Sequence, residues 1–135
     1  MVARNSDGKL IRRPLSPHIQ VYRWPLSMAL SIAHRVTGVG LGLGALLMTG
    51  WIAAAASSEH AFEGYQAFLG SAIGILLLFG WSVSLIFHLM SGLRHLWMDL
   101  GHGFEEKQYE HTGLAVLVGT GALTVLVWLI GLMTW

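Results

Sequence analysis

The sequence contains no cysteine and little charge. Without cysteine, the chain forms no disulfide, ligates no iron–sulfur cluster through thiolates and attaches no c-type haem covalently. Charged residues make up 11% of the 135 residues and hydrophobic residues 54%, with the charges grouped so that long uncharged runs separate them. This composition indicates an integral membrane protein with little soluble mass. The net charge of +1 gives no indication of a nucleic-acid partner.

Residues 1–25 form a polar N-terminal segment that lacks the continuous apolar run of a cleavable signal peptide. Prolines at 14, 17 and 25 disfavour helix at the residues before them, so the stretch 13–22 is predicted to run extended. A disordered basic tail on anionic lipid is the simpler alternative. The apolar residues of the segment favour an ordered interfacial structure instead. These residues are Leu15, Ile19, Val21, Tyr22 and Trp24.

Residues 26–135 form a single transmembrane domain with three apolar runs, each able to cross ~30 Å of hydrocarbon as a helix. We place the spans at about 26–57, 65–97 and 113–135, with short polar connections. The predicted fold class is therefore all-α, a three-helix integral membrane anchor. All eight Lys and Arg residues lie in the N-terminal segment, at the start of the first span or in the second connection. The positive-inside rule then puts the N-terminus on the cytoplasmic or matrix side.

The second span carries two histidines, His88 and His95, whose spacing of seven residues puts them on one helix face. Ser84 and Ser91 lie on the same stripe. Titratable residues inside a span are costly in lipid, which indicates a functional site facing protein. If the span reaches the interface near Arg94, then His88 lies ~9 Å inside it. By itself His88 is equally well explained as a hydrogen-bonded packing residue.

The first span carries a second polar group, Ser31, His34 and Arg35, on one side of the helix near its cytoplasmic end. A lone arginine there is most simply an interfacial residue that reaches toward lipid headgroups. A hydroxyl beside a guanidinium, however, could bind a quinone carbonyl and stabilise negative charge developing on it. With His88 inside the span and His95 at the rim, the pattern also suits a b-type haem.

Four alternating glycines, Gly38, Gly40, Gly42 and Gly44, follow this group and give two overlapping Gly-x-x-x-Gly pairs. Such pairs let another backbone or a flat ligand approach the helix axis. Ordinary helix packing is the simpler interpretation, because small residues at this spacing are common in membrane helices.

Three stretches resemble the motifs of one family, the cytochrome b556 membrane-anchor subunits of succinate dehydrogenase (complex II). They are RPLSPHIQVY at 13–22, SIAHRVTG at 31–38 and HLMSGLRHLWMDLG at 88–101. The resemblance extends over nearly the whole chain, including the order of the three spans.

This resemblance implies an assembly. Members of the family pair with a second three-helix anchor subunit, attach the flavoprotein and iron–sulfur subunits to the bacterial or mitochondrial inner membrane, and hold one haem b between the two anchors. Electrons from succinate would pass through the peripheral subunits to ubiquinone. The chain itself would have no succinate-oxidising residue.

The resemblance also implies roles for individual residues. His88 matches the axial haem ligand. His34, Arg35 and His95 match positions associated with the haem propionates, and Ser31 with Arg35 matches positions lining the ubiquinone site. Two further motif residues, His18 and Asp99, are assigned structural or docking roles.

Three alternatives stay open. The chain could be a self-contained b-type cytochrome in which His34 and His88 both ligate the haem. Their estimated depths differ by several ångströms, which counts against it, though helix tilt could close the gap. It could be a small transporter or scaffold whose polar stripe binds only helices. It could also anchor a fumarate reductase that works with menaquinol.

Overall fold

The computed structural model describes residues 2–12 and 22–134, in which three long apolar helices dominate. Helix α1 spans Leu26–Ser57, α2 Glu59–Leu69, α3 Ala72–Asp99 and α4 Glu106–Thr134. Helices α1, α3 and α4 are long and apolar enough to cross a membrane, whereas α2 is a short connecting helix. The prediction of an all-α multi-pass membrane protein with three spans is confirmed for this part of the chain.

A small β-hairpin near the N-terminus was not predicted from the sequence. Strand β1 (Val2–Arg4) pairs antiparallel with β2 (Leu10–Arg12). The side-chain oxygen of Asn5 accepts hydrogen bonds from the backbone N–H groups of Asp7 (3.1 Å) and Lys9 (2.9 Å), which stabilises the turn. Most of the predicted extended stretch, including Leu15, His18, Ile19 and Val21, lies outside the described residues.

The second apolar run is divided, which differs from the single span expected from residue 65. Tyr65 belongs to α2, and α3 begins only at Ala72. Serine caps set both starts: Ser58 accepts from the Ala61 N–H at 3.2 Å, and Ser71 accepts from the Gly74 N–H at 3.2 Å. Helix α2 therefore folds back along the end of α1 instead of continuing into α3.

A tyrosine fastens α2 to α1. The Tyr65 hydroxyl donates a hydrogen bond of 2.8 Å to the Leu47 carbonyl. A side chain at Gly50 would obstruct this bond, because its Cβ would lie 2.8 Å from the same hydroxyl oxygen.

Helix α3 is central and packs against both α1 and α4. One small apolar core joins the three long helices through Leu30, Phe87 and Val116, with Ala33 and Met90 against it. Most other large apolar side chains are exposed, as lipid or neighbouring helices require.

The glycines of α1 serve different purposes. A Cβ at Gly40 would lie 2.8 Å from the Ser84 hydroxyl oxygen, and a Cβ at Gly44 would overlap the Trp81 indole. A Cβ at Gly42, in contrast, would meet nothing within 4 Å among the described residues. The pair at 40 and 44 therefore permits close packing of α1 on α3, in agreement with the simpler interpretation.

An arginine joins α3 to α4. Arg94 is only 7% exposed, because its guanidinium lies between the two helices. Its Nε donates to the Thr112 hydroxyl at 3.1 Å, and a terminal nitrogen donates to the Tyr109 carbonyl at 3.2 Å. Its guanidinium carbon also lies 4.4 Å from the centre of the Tyr109 ring. Arg94 thus holds the start of α4 against the end of α3.

Candidate functional site

Three histidines meet where α1 packs on α3, and we call them the histidine cluster: His34, His88 and His95. The His34 and His88 rings are stacked, with centroids 3.9 Å apart and planes inclined by 14°. The His95 ring stands edge-on to His34 with centroids 5.0 Å apart. His34 and His88 are half-buried, while His95 is exposed. The structure therefore brings together the three histidines that the sequence analysis selected.

The orientation of the His88 ring is fixed by two oxygens of α1. Its Nδ1 lies 3.1 Å from the His34 carbonyl oxygen and 3.4 Å from the Thr37 hydroxyl oxygen. The Thr37 hydroxyl donates its own hydrogen to the carbonyls of Ala33 (2.8 Å) and His34 (3.0 Å), so both oxygens near Nδ1 act as acceptors. These acceptors assign the hydrogen of a neutral His88 ring to Nδ1, which leaves the lone pair on Nε2.

A glycine gives the His88 ring its place beside α1. A Cβ at Gly38 would lie 3.2 Å from Cε1 of His88 and 3.7 Å from Nδ1. The ring therefore packs against bare backbone on α1, as well as against the face of the His34 ring.

The other two predicted site residues flank His34 on α1. Ser31, one turn earlier, is half-buried, and Arg35, the next residue, is exposed. Because Ser31 and Arg35 are four residues apart on one helix, their side chains project from the same side. The exposed guanidinium is able to meet an anionic or carbonyl-bearing ligand that approaches α1 from outside.

The donor set of the site fits a haem better than a bare metal ion. Within residues 2–12 and 22–134, no group of three or more His, Cys, Asp or Glu residues could hold an ion by itself. His88, in contrast, offers one imidazole nitrogen whose partner nitrogen donates to a backbone carbonyl, as is usual for a metal-ligating histidine. Haem iron is already held by its macrocycle and needs only such axial ligands.

A second buried nitrogen lies in the cluster. Among the described residues, Nδ1 of His34 is buried and has no hydrogen-bond partner. A buried polar atom normally has a hydrogen-bond partner, so this nitrogen is left unsatisfied in the arrangement described.

The depth difference expected between His34 and His88 is wrong, because their rings are in direct contact. That contact opposes the self-contained cytochrome for another reason. An iron with two axial ligands takes them from opposite sides of the haem plane. Two rings packed face to face do not have that arrangement.

Sequence reasoning did not select Thr37 or the contact between Gly38 and His88. Thr37 lies three residues after His34 on the same side of α1, which was an available signal. Nothing in the sequence, however, gives the register of α1 against α3, so the partner of that side could not be identified.

Comparison with known proteins gives consistent matches. The family model described as succinate dehydrogenase/fumarate reductase transmembrane subunit matches residues 9–127. The chain is 43% identical over 114 residues to the succinate dehydrogenase cytochrome b556 subunit of Paracoccus denitrificans, covering 84% of this chain and 88% of that protein. It is 35% identical over 117 residues to the cytochrome b556 subunit of Rickettsia felis, covering 87% and 91% respectively.

A mitochondrial protein is similarly related. The chain is 41% identical over 123 residues to the succinate dehydrogenase cytochrome b560 subunit of Bos taurus, covering 85% of this chain and 69% of that protein. The matches therefore include both bacterial and mitochondrial proteins.

Proposed function

The chain belongs to the succinate dehydrogenase/fumarate reductase transmembrane subunit family, and from that premise we propose that it is a haem b-binding anchor of succinate dehydrogenase. In this role it pairs with a second anchor subunit and fixes the flavoprotein and iron–sulfur subunits to the membrane. The haem lies between the two anchors, and ubiquinone is the electron acceptor. The complex oxidises succinate, and this chain supplies no residue for that reaction.

The observation that carries the proposal is the orientation of His88. Its Nδ1 faces the His34 carbonyl at 3.1 Å, which leaves Nε2 as the ligating atom. His88 would be the axial ligand from this chain, and His34, Arg35 and His95 would pair with the haem propionates. When bound, the haem supplies one-electron exchange with the quinone site.

The quinone site on this chain is assigned to Ser31 and Arg35. The Ser31 hydroxyl would donate a hydrogen bond to a quinone carbonyl and thereby orient the ring. The Arg35 guanidinium would stabilise the negative charge that develops on that oxygen as electrons arrive. Both side chains extend from the end of α1 that also carries His34, so the quinone would bind within reach of the histidine cluster.

The proposed location is the bacterial or mitochondrial inner membrane, with the N-terminus on the cytoplasmic or matrix side. The basic residues support this orientation. Arg94 and Lys107 flank the α3–α4 connection, whereas the described residues between α1 and α3 include no Lys or Arg.

The test is His88→Ala in the purified complex, compared with wild type by reduced-minus-oxidised spectra. Loss of the axial nitrogen should abolish or strongly weaken the b-type signal while the subunits still copurify. His60→Ala is the matched control, because His60 is an exposed histidine of α2. An unchanged haem spectrum in His88→Ala would refute the ligand role.

A further inference from the structure

We propose that Thr37 and Gly38 are positioning residues that fix the His88 ring and thereby tune the electron-donating strength of its Nε2. This inference rests on the proposed function, in which His88 is a haem ligand. It gives Thr37 a role where the sequence motifs gave none, and gives Gly38 a role beyond its place in a Gly-x-x-x-Gly pair. Neither residue would touch the iron, and each would act through the His88 imidazole.

The hydrogen of the neutral His88 ring is held on Nδ1 by acceptors from α1. Two oxygens of α1 lie near that nitrogen, the His34 carbonyl at 3.1 Å and the Thr37 hydroxyl at 3.4 Å. The shorter contact is an ordinary hydrogen bond, and the longer one is a weaker electrostatic contact. Because the Thr37 hydroxyl donates its hydrogen to carbonyls of α1, its oxygen presents a lone pair to the His88 ring. Both contacts therefore stabilise the same tautomer.

The position of the His88 ring depends on its neighbours on α1. The His88 imidazole stacks on the His34 ring, with centroids 3.9 Å apart, and lies beside Gly38 of the same helix as His34. A methyl group at residue 38 would lie only 3.2 Å from Cε1. The ring would have to move by a few tenths of an ångström. A shift away from α1 would lengthen the 3.1 Å contact of Nδ1 with the His34 carbonyl, so Gly38 leaves room for the ring where Nδ1 makes this hydrogen bond.

The consequence is electronic as well as geometric. A hydrogen bond from the non-ligating nitrogen makes an imidazole a stronger donor to its metal, which stabilises the oxidised iron. Weakening that bond should raise the reduction potential of the haem and loosen its binding. A residue that only packed helices together would not shift the potential in one direction.

The experiment uses the complete complex and two substitutions that act by different routes. Thr37→Val removes the hydroxyl and keeps the shape, and Gly38→Ala displaces the ring. Each variant complex should still bind haem, but the reduction potential of that haem should be more positive than in wild type. The affinity for haem should fall by about tenfold. Redox titration, the low-spin electron paramagnetic resonance signal and the haem content per complex measure these effects. Thr37→Ser, which restores the hydroxyl, should return the potential toward the wild-type value.

The chain offers a matched control for each substitution. The Thr49 hydroxyl makes the same kind of bond, 2.8 Å to the Ala45 carbonyl, at an exposed position on α1. A Cβ at Gly42 would meet no atom of the described part of the chain within 4 Å. Thr49→Val and Gly42→Ala should therefore leave the haem potential unchanged.

The outcomes separate this inference from the proposed function. If His88→Ala keeps the haem, the ligand role fails and the inference fails with it. If His88→Ala loses the haem but Thr37→Val and Gly38→Ala match their controls in potential and retention, only the inference is overturned. Failure of both variants to assemble, when both controls assemble, would also overturn it and assign the two residues to helix packing.

Discussion

Two arginines near the ends of apolar helices have opposite surroundings. Arg94 is buried, donates to Thr112 and to the Tyr109 carbonyl, and lies over the Tyr109 ring, so its charge is used to join two helices. Arg35 is exposed beside the histidine cluster. Removing a buried, hydrogen-bonded arginine damages the fold, whereas an exposed arginine is available to a ligand. Arg35 is therefore the better candidate for a role in quinone reduction.

We expect Arg35→Ala to slow ubiquinone reduction by about tenfold or more, because it removes a charge that stabilises the reduced oxygen. Succinate oxidation measured with a soluble dye should change much less, since that electron transfer occurs before the quinone site. Comparing the two rates in one preparation checks the prediction. Arg23→Ala, at another exposed arginine before α1, serves as the control. Equal loss of both activities in Arg35→Ala would indicate a damaged assembly instead.

At the scale of single residues, the sequence predicted which side chains gather but not what orients them. Periodicity put His88 and His95 on one face of α3, and it put His34 on the neighbouring helix. It could not show that the His34 carbonyl, a backbone atom, accepts from His88. The burial of Arg94 could not be predicted from the sequence either, because its partners Tyr109 and Thr112 become neighbours only when α4 packs against α3.

At the scale of helices, hydropathy located the spans but missed one boundary. The run from residue 65 is apolar almost throughout, so no drop in hydropathy marks the break between α2 and α3. The break depends on a serine cap at Ser71, which accepts from the Gly74 N–H, and on the turn at Gly70. Such caps involve only three or four neighbouring residues. A hydropathy average taken over a window as long as a membrane span does not detect them.

Helix packing gives a prediction that compares two glycines of α1. Gly44→Ala should destabilise the fold by about 1–3 kcal/mol, because its methyl group would overlap the Trp81 indole and force α1 away from α3. Gly42→Ala should not, because its methyl group would have no neighbour within 4 Å among residues 2–12 and 22–134. Thermal unfolding of the detergent-solubilised complex measures the difference. Equal melting temperatures for the two variants would mean that α1 and α3 are not held together at Gly44.

At the scale of the whole molecule, the chain buries little of its apolar surface internally. Within residues 2–12 and 22–134 the buried hydrophobic residues are few, namely Leu30, Ile86, Phe87 and Val116, whereas long apolar faces of all three spanning helices are exposed. In a membrane these faces need lipid or other helices. The number of spans was predictable because hydropathy is a local property. The surface that meets a partner was not, because lipid-facing and helix-facing residues have similar composition.

The absence of cysteine makes the membrane orientation directly measurable, since a single introduced cysteine is the only thiol of this chain. Three spans put the N-terminal hairpin and the α3–α4 connection on one side and α2 on the other. The exposed residues Ser6, Glu63 and Glu105 represent these three regions. We expect Glu63→Cys to react with an impermeant maleimide in intact spheroplasts, and Ser6→Cys and Glu105→Cys to react only after permeabilisation.

Gel separation of the subunits assigns the maleimide label to this chain in each of the three variants. The reverse pattern would keep three spans and overturn the proposed orientation, because Ser6 and Glu105 would still share one side. Reaction of Ser6 and Glu105 from opposite sides would instead contradict the three crossings, since the two crossings between them, α1 and α3, return the chain to the side on which it began. The first result would reject only the positive-inside argument, which rests on eight basic residues. The second would reject the assignment of α1 and α3 as two successive crossings, on which the position of the histidine cluster within the membrane depends.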